Sequence, residues 1–437
     1  MAVQMPKVEL FFDLSGSGAT TTPGFLTDDF GTVLTTDTGD PLVITASTAG
    51  FFILGHPVLG LLGGVGVLAG NLATDVSRYV MSVSTNRGRS QQFDETQTGT
   101  ATITLRNDTR VFDPSNLASP YAGNIRPGKK VRVALNERDI YTGKIDDWSF
   151  GYDVNGASTA TITCVDALAS LAAISMTEWV TTPQATGARV SAVLDRGEVG
   201  FPYSRNVDTG ASRLQGDTIG DGTNVLSYLQ TVNRAELGHL FDSKSGVLTF
   251  LDRSANANQA ATVFADDGTG IKFSALEVSY GTELLYTSSI VSRVGGSTET
   301  FTDDDASQEF GVRTITMTDM LFDSDDQSEA FGQFLISRYA EPQQRLASLT
   351  SHLPRLTATE RWQLLELELG DVVDFTFTPE GTGSAISQEC LLEGVAHDIR
   401  PGEWDTTLRF GDVTARFVFT LGDPVYGLLG GTAVLSF

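Results

Sequence analysis

Paired carboxylates are the side chains in this sequence best placed to do chemistry. Glu366 and Glu368, in LLELELGD, stand two residues apart with Asp371 and Asp374 close behind, so on a strand both glutamates share one face. A glycosidase dyad needs one of the two in an apolar pocket that raises its pKa. The interleaved Leu364, Leu365, Leu367 and Leu369 instead turn the glutamates toward water. Two acidic runs, Asp303–Asp305 and Asp323, Asp325, Asp326 with Glu329, suggest calcium. Neither has the sixth-position glycine and twelfth-position glutamate of an EF-hand loop. They read as a solvated loop and a helix N-terminus, where Asp325 and Asp326 suit the positive end of the helix dipole, and Asp217–Gly222 reads as a turn. The histidines, at 56, 239, 352 and 397, lie far apart without HxH or HExxH spacing, and neither a GxSxG elbow nor a GxxxxGK[ST] loop is present. No catalytic, cofactor-binding or metal site is assigned, no cofactor is expected, and the chain is not read as an enzyme.

Basic residues cluster twice. Arg126, Lys129, Lys130 and Arg132 lie in RPGKKVR, and Arg87 and Arg89 in NRGRS. Each reads either as a solvated turn or as a contact for an acidic partner surface. Across the chain 29 basic residues meet 54 acidic ones, for a net charge of −25, which excludes wrapping around a nucleic-acid backbone. Cys164 and Cys390 are too few for a disulfide framework and lack CxxC spacing, which suits a reducing cytoplasm.

Positioning these groups requires folded units. A chain of 437 residues exceeds what one core serves, so about two to four packed units are expected. With 41% hydrophobic and 19% charged residues it should be globular throughout, and 45 glycines with abundant Thr and Ser favour strands and turns. No secretory leader is read in the first twenty residues, which lack a long apolar core.

Alternation of apolar and polar residues predicts strands at Thr100–Leu105 (TATITL), Val131–Leu135, Ile140–Ile145 and Thr159–Cys164 (TATITC). Asp113-Pro114, Ser119-Pro120 and Pro127-Gly128 mark Arg106–Lys130 as a long ordered loop. Val165, Leu168, Ala169 and Ala172 then shift to helical spacing, closing a first β-barrel. Helices are expected at Ala188–Arg196 and Asn224–Leu237, the latter capped by Thr223 or Asn224 and stopped by Gly238. A hairpin about the turn Asp242–Gly246 follows. Strands resume from Ile271, broken by a helix near Gln327–Tyr339, in a second barrel reaching about Val413.

One apolar run, Ala49–Ala69, approaches the ~20 residues of a membrane span. Pro57, His56 and six glycines break it, and no stable membrane insertion is expected. Its core, Phe52–Leu68, aligns without gaps to Phe419–Leu435, with twelve of seventeen positions identical. The repeat reads as a small β-hairpin cassette used twice. Its apolar residues, Phe52, Leu54, Pro57, Leu61 and Leu62 in one copy and Phe419, Leu421, Pro424, Tyr426, Leu428 and Leu429 in the other, either dock a partner or close separate cores. The expected division is an N-terminal strand and cassette (1–82), a first barrel (83–178), an α+β insert (179–270), a second barrel with a helix (271–413) and the C-terminal cassette (414–437).

Phrases in a fixed order carry a resemblance: RGRS (87–90), GTATITLRN (99–107), FDPSN (112–116), SPYAGNIRPGKKVRV (119–133), YTGKIDDW (141–148), TATITCVDAL (159–168), LGDVVDF (369–375) and LEGVAHDIRPGEWDTTLRF (392–410). Together they resemble the minor tail proteins, or baseplate hubs, of siphophages that infect actinobacteria. The resemblance implies a mainly β fold with two tail-tube-like antiparallel β-barrels plus smaller α+β domains. It further implies a trimeric ring at the virion tail tip, assembled in the host cytoplasm, that continues the tail tube. Its implied partners are the distal tail protein, the tape measure protein and tail fibre or receptor-binding proteins, with DNA passing through without specific binding. Two rivals stand beside it. A receptor- or polysaccharide-binding tail protein would cluster aromatic residues, whereas Trp148, Trp179, Trp362 and Trp404 are scattered; a cell-wall hydrolase lacks its catalytic constellation.

Overall fold

Strands form where β-branched residues alternate with small polar ones, because one face can then be buried while the other stays wet. The computed structural model describes residues 5–12, 24–25, 43–44, 72–154, 156–255 and 258–413; both cassettes lie outside these residues. The first run comprises β1 (Lys7–Phe12), β2 (Leu72–Asp75), β3 (Val80–Gly88), β4 (Gln97–Arg106), β5 (Lys130–Leu135), β6 (Arg138–Gly151) and β7 (Thr159–Val165). They pair antiparallel in the order β3-β4-β7-β6-β5-β1-β2. On β4 the alternation is plain: Ala101, Ile103 and Leu105 are buried, whereas Thr100 and Thr102 are exposed.

The insert follows, with α1 (Ala167–Ala172), α2 (Thr186–Leu194), β8 (Arg205–Val207), α3 (Val225–Glu236), β9 (His239–Asp242) and β10 (Leu248–Leu251). Strands β8, β9 and β10 make a separate small sheet, β8 parallel to β10 and β9 antiparallel to it, beside three short two-residue strand pairs. The Asn224 side chain caps α3 by accepting from Ser227 N at 3.1 Å. The expected stop at Gly238 is corrected: Leu237 takes the left-handed conformation, with φ 54°. Gly238 serves a different need, since a Cβ there would lie 2.4 Å from the Leu251 carbonyl oxygen. Asn224→Ala should cost about 1 kcal/mol, read as a lower urea midpoint with unchanged slope. No loss at all would show that the cap is dispensable.

Beyond the insert come β11 (Thr262–Ala265), β12 (Ala275–Tyr280), β13 (Ser288–Arg293), β14 (Thr298–Thr302), α4 (Asp304–Phe310), β15 (Thr314–Met320), α5 (Asp325–Tyr339), β16 (Gln344–His352), α6 (Ala358–Glu366), β17 (Val372–Phe377), β18 (Ile386–Arg400) and β19 (Glu403–Asp412). The order β12-β16-β19-β18 continues directly into β3, so the two β-rich runs are stitched into one thirteen-stranded sheet. β18 is long enough to serve twice: Ile386–Leu391 pairs with β17, and Gly394–Ile399 pairs with β3. The chain is thus mainly β with an α+β insert, as its composition and spacing predict. Strands β13–β15 leave the large sheet, and α5 packs on them. Phe322, Phe331, Leu335 and Tyr339 join the same core as Leu229 and Val232 of α3.

A second, larger core lies between both halves of the sheet, joining Val83, Ile103 and Ile162 to Phe375, Trp404 and Leu408. Trp404 is 1% exposed. Burying each such side chain contributes roughly 1.5–3 kcal/mol.

LLELELGD is not a strand. Thr357 and Glu360 form a capping box that starts α6, which runs through Leu364 and Leu365 and ends at Glu366. The apparent alternation is the last turn of a helix followed by an extended pair, and all four leucines are buried.

Candidate functional site

The charged side chains with defined geometry gather where the two halves of the sheet meet the insert. β3 ends against β18 at Gly88, paired with Gly394. Gly88 has φ +89°, and a Cβ there would lie 2.2 Å from the Glu393 carbonyl oxygen, so only glycine lets these backbones approach. Arg89 follows, with Nε 2.6 Å and Nη2 3.0 Å from the two carboxylate oxygens of Glu393. Those side chains are 8% and 0% exposed. Such a two-point guanidinium–carboxylate fork is the strong form of the interaction.

Arg87 makes the next tie. Its Nη1 donates to Glu368 Oε1 at 2.8 Å and to the Asp242 carbonyl at 3.3 Å. Lys244, in the insert hairpin, donates its backbone N–H to Glu368 Oε2 at 2.9 Å. Its ammonium donates to the carbonyls of Leu365 (2.8 Å), Glu366 (2.6 Å) and Leu367 (3.2 Å) at the end of α6. A cation suits the negative C-terminal end of a helix. Burial pushes the Glu368 carboxyl up, but Arg87 and the Lys244 N–H outweigh it and hold the carboxyl below its usual range. One network therefore joins the first half-sheet, the insert and the second half-sheet.

His239, on β9, places Nδ1 3.4 Å from Glu393 Oε2. Burial pushes its pKa down to about 4, against the pull of Glu393, so at neutral pH it is uncharged. His397 Nδ1 accepts from Trp404 Nε1 at 3.3 Å and lies 2.8 Å from Thr406 Oγ1; burial pushes it down to about 3.

Two aspartates meet nearby. Asp166 caps α1, its Oδ1 accepting from Leu168 N at 3.0 Å and its Oδ2 from Gly99 N at 2.5 Å. Asp242 Oδ2 accepts from Ala167 N at 2.9 Å. Burial, reinforced by Asp242, pushes Asp166 up to about 8, and burial pushes Asp242 up to about 6.

The structure does not bring the six basic residues into one patch. Arg87 and Arg89 are corrected from outward contacts to buried partners of Glu368 and Glu393, because the seam between the half-sheets covers them. Four strands away in the sheet, Arg132 donates to Asp139 at 2.5 Å, Glu9 at 3.1 Å and Glu137 at 3.3 Å. Lys130 Nζ lies 5.3 Å from the centre of the Phe11 ring, Lys129 is buried, and Arg126 is exposed. Glu366 and Glu368 do not face water together: exposed Glu366 pairs with Arg138, and Glu368 turns inward to Arg87. The acidic runs serve helix starts. Asp303 caps α4 by accepting from Ala306 N at 2.9 Å, while Ser324 caps α5, with Asp325 and Asp326 in its first turn. Among the described residues, no group of three or more metal-ligating side chains comes together. The cassette residues Phe52–Leu62 and Phe419–Leu429 lie outside the described residues.

Sequence reasoning missed Glu393, Lys244, Asp166 and Asp242, and it turned Glu368 toward water rather than inward to Arg87. A faint signal existed for Glu393, a lone acid inside the apolar run CLLEGVA, and for Asp166, a cap residue where TITCV changes to helical spacing.

No family model matches the chain, and no curated protein matches it in sequence. Solved structures do share its fold. The 43 kDa tail protein of prophage MuSo2 from Shewanella oneidensis is 16% identical with a TM-score of 0.52, over 78% of this chain and 96% of that one. The tail protein from Neisseria meningitidis MC58 is 12% identical with a TM-score of 0.56, over 78% of this chain and 93% of that one. The class these comparisons define is a fold shared with tail proteins.

Proposed function

We propose that the chain is a structural, non-enzymatic tail-tip hub of a long-tailed siphophage, one of three copies in a ring that continues the tail tube. The observation that carries this reading is the fold shared with two tail proteins over more than nine-tenths of their length. The stitched sheet supports it, since both β-rich halves and the insert share buried ion pairs and so form a wall that resists deformation. A net charge of −25 per chain multiplies in a ring, and a negative lumen lets DNA pass without holding it. In this reading the distal tail protein sits above, the tape measure protein within, and fibre or receptor-binding proteins outside. Assembly takes place in the host cytoplasm.

The two cassettes are the proposed docking elements. The first falls between β1 and β2, whose end residues Phe12 and Leu72 pair, and the second follows Val413. Each is rooted in a different half of the sheet, which suits contacts made twice per chain. The surroundings of the tryptophans count against a polysaccharide-binding role. Trp404 is buried, Trp148 stacks on Phe112 and Phe150, and Trp179 and Trp362 lie under Arg196 and Arg138.

Solution mass with negative-stain imaging tests the proposal. The expected result is three times the 46.7 kDa chain mass and a ring with a central hole. A compact monomer that binds host cells would overturn it in favour of receptor binding.

A further inference from the structure

We propose that neighbouring copies of this chain meet head to tail through charge, with the cross-strand lysines Lys130 and Lys144 of one copy taking exposed carboxylates of residues 298–329 of the next. The inference rests on the ring reading and names the contact that joins its copies. Association poses a problem for this chain, because at −25 per copy two copies repel unless opposite charges meet locally.

Lys130, on β5, stands directly opposite Lys144, on β6. Like charges so placed destabilise a strand pair, and an anion set between them removes that cost. Neither ammonium makes an ion pair or a hydrogen bond among the described residues; each is held near an aromatic ring, 5.3 Å from the Phe11 centre and 4.9 Å from that of Tyr203. The two lysines flank a cleft of about 80 Å³ beside Thr142 and Gly143. A water molecule's share of liquid is about 30 Å³, so a carboxylate group fits. Asp166 and Asp242, also in its wall, do not turn the cleft away from anions. Their oxygens accept from the Gly99, Leu168 and Ala167 N–H groups, and the Arg87 guanidinium acts on both.

The complementary surface lies on β14, α4, β15 and the start of α5. Residues 298–329 hold ten acidic residues and one basic, Arg313. Asp303 is engaged as a cap and Asp325 with Arg293. Asp304, Asp305 and Asp326 are exposed, and none makes an ion pair among the described residues. The lysine pair and the acidic unit are different surfaces of one chain, so the contact between them is heterologous. Each copy gives one surface and receives the other, which builds a ring where the rotation closes. Opposite patches also steer the copies into register as they approach.

Solution mass of the full chain, followed across protein concentration at low salt, tests the contact. Lys130→Glu with Lys144→Glu should weaken association on the order of 10- to 100-fold, and so should Asp304→Lys with Asp305→Lys. All four changes in one chain should restore most of it, because the exchanged charges meet again; a merely misfolded surface would not recover. Arg106→Glu with Arg400→Glu changes the net charge as much as the lysine reversal does, on side chains 68% and 61% exposed, and should weaken association far less. Should a reversal fail to fold, Lys130→Gln with Lys144→Gln takes its place, with a loss of about tenfold expected. Association that survives the lysine changes, or that the fourfold variant does not recover, overturns the contact and leaves the ring standing. A parent that stays monomeric at every concentration overturns both. Dimers or open chains that dissolve with the lysine changes support the contact and sink the ring of three.

Discussion

An Arg89→Ala variant is expected to lose about 3–5 kcal/mol of unfolding free energy, because it leaves the Glu393 carboxylate buried and unpaired. The pair is almost sealed, at 8% and 0% side-chain exposure, so solvent does little to screen the orphaned charge. Glu393→Gln in the same chain should recover part of the loss, since the amide no longer needs a counter-charge, and the two changes should be strongly non-additive. Arg138→Ala provides the contrast. Its partner Glu366 is on the surface, with side chains 43% and 56% exposed, and such pairs contribute about 0–1 kcal/mol. Urea unfolding followed by tryptophan fluorescence measures the parent, both single variants, the double variant and Arg138→Ala. If Arg89→Ala fell within 1 kcal/mol of the parent, the seam would not depend on this pair. The two half-sheets would then be held by β3–β18 backbone pairing, apolar burial and the Arg87–Glu368 tie.

That seam was the least legible part of the chain. Strand alternation reads directly from TATITL and TATITC because side-chain direction has a period of two and depends only on near neighbours. Asn224 and Asp325 could be placed at helix starts for the same local reason. The ion pairs are another matter: Arg89 finds Glu393 at a separation of 304 residues, and Arg87 finds Glu368 at 281. Nothing in NRGRS distinguishes an arginine that meets a partner protein from one that turns inward, so both outward contacts were assigned to residues that the fold buries. LLELELGD failed for a local reason. Two leucines at a helix end and two in the following turn mimic a strand's alternation, and the deciding signal was the Thr357–Glu360 capping box upstream. Leu237 could not have been foreseen as a left-handed residue, because it is held there by packing while the glycine beside it makes room for the Leu251 carbonyl.

Between pH 6.5 and 8 the chain should lose roughly 2 kcal/mol of stability as pH rises, and Asp166→Asn should flatten that slope. The sign follows from the direction of each shift. Asp166 is pushed up to about 8, so the folded state keeps a proton that the unfolded chain, at an ordinary aspartate pKa, has already released. Its contribution is full at low pH and is lost as pH climbs through 8, at about 1.4 kcal/mol per unit. Asp242, pushed up to about 6, behaves alike but is spent by pH 6.5. His239 and His397, pushed down to about 4 and about 3, act in the opposite sense: their contribution is full above 6.5 and falls away as the unfolded chain takes up protons. From about pH 4 to 6 the two aspartates and two histidines therefore offset one another, and only above 6.5 does Asp166 stand alone among the four. Urea midpoints at half-unit steps from pH 6 to 8.5 would show the decline in the parent. A decline that persists in Asp166→Asn would mean that the carboxyl beside Asp242 is already ionised, and that Arg87 and Lys130 offset two adjacent negative charges there without a shared proton.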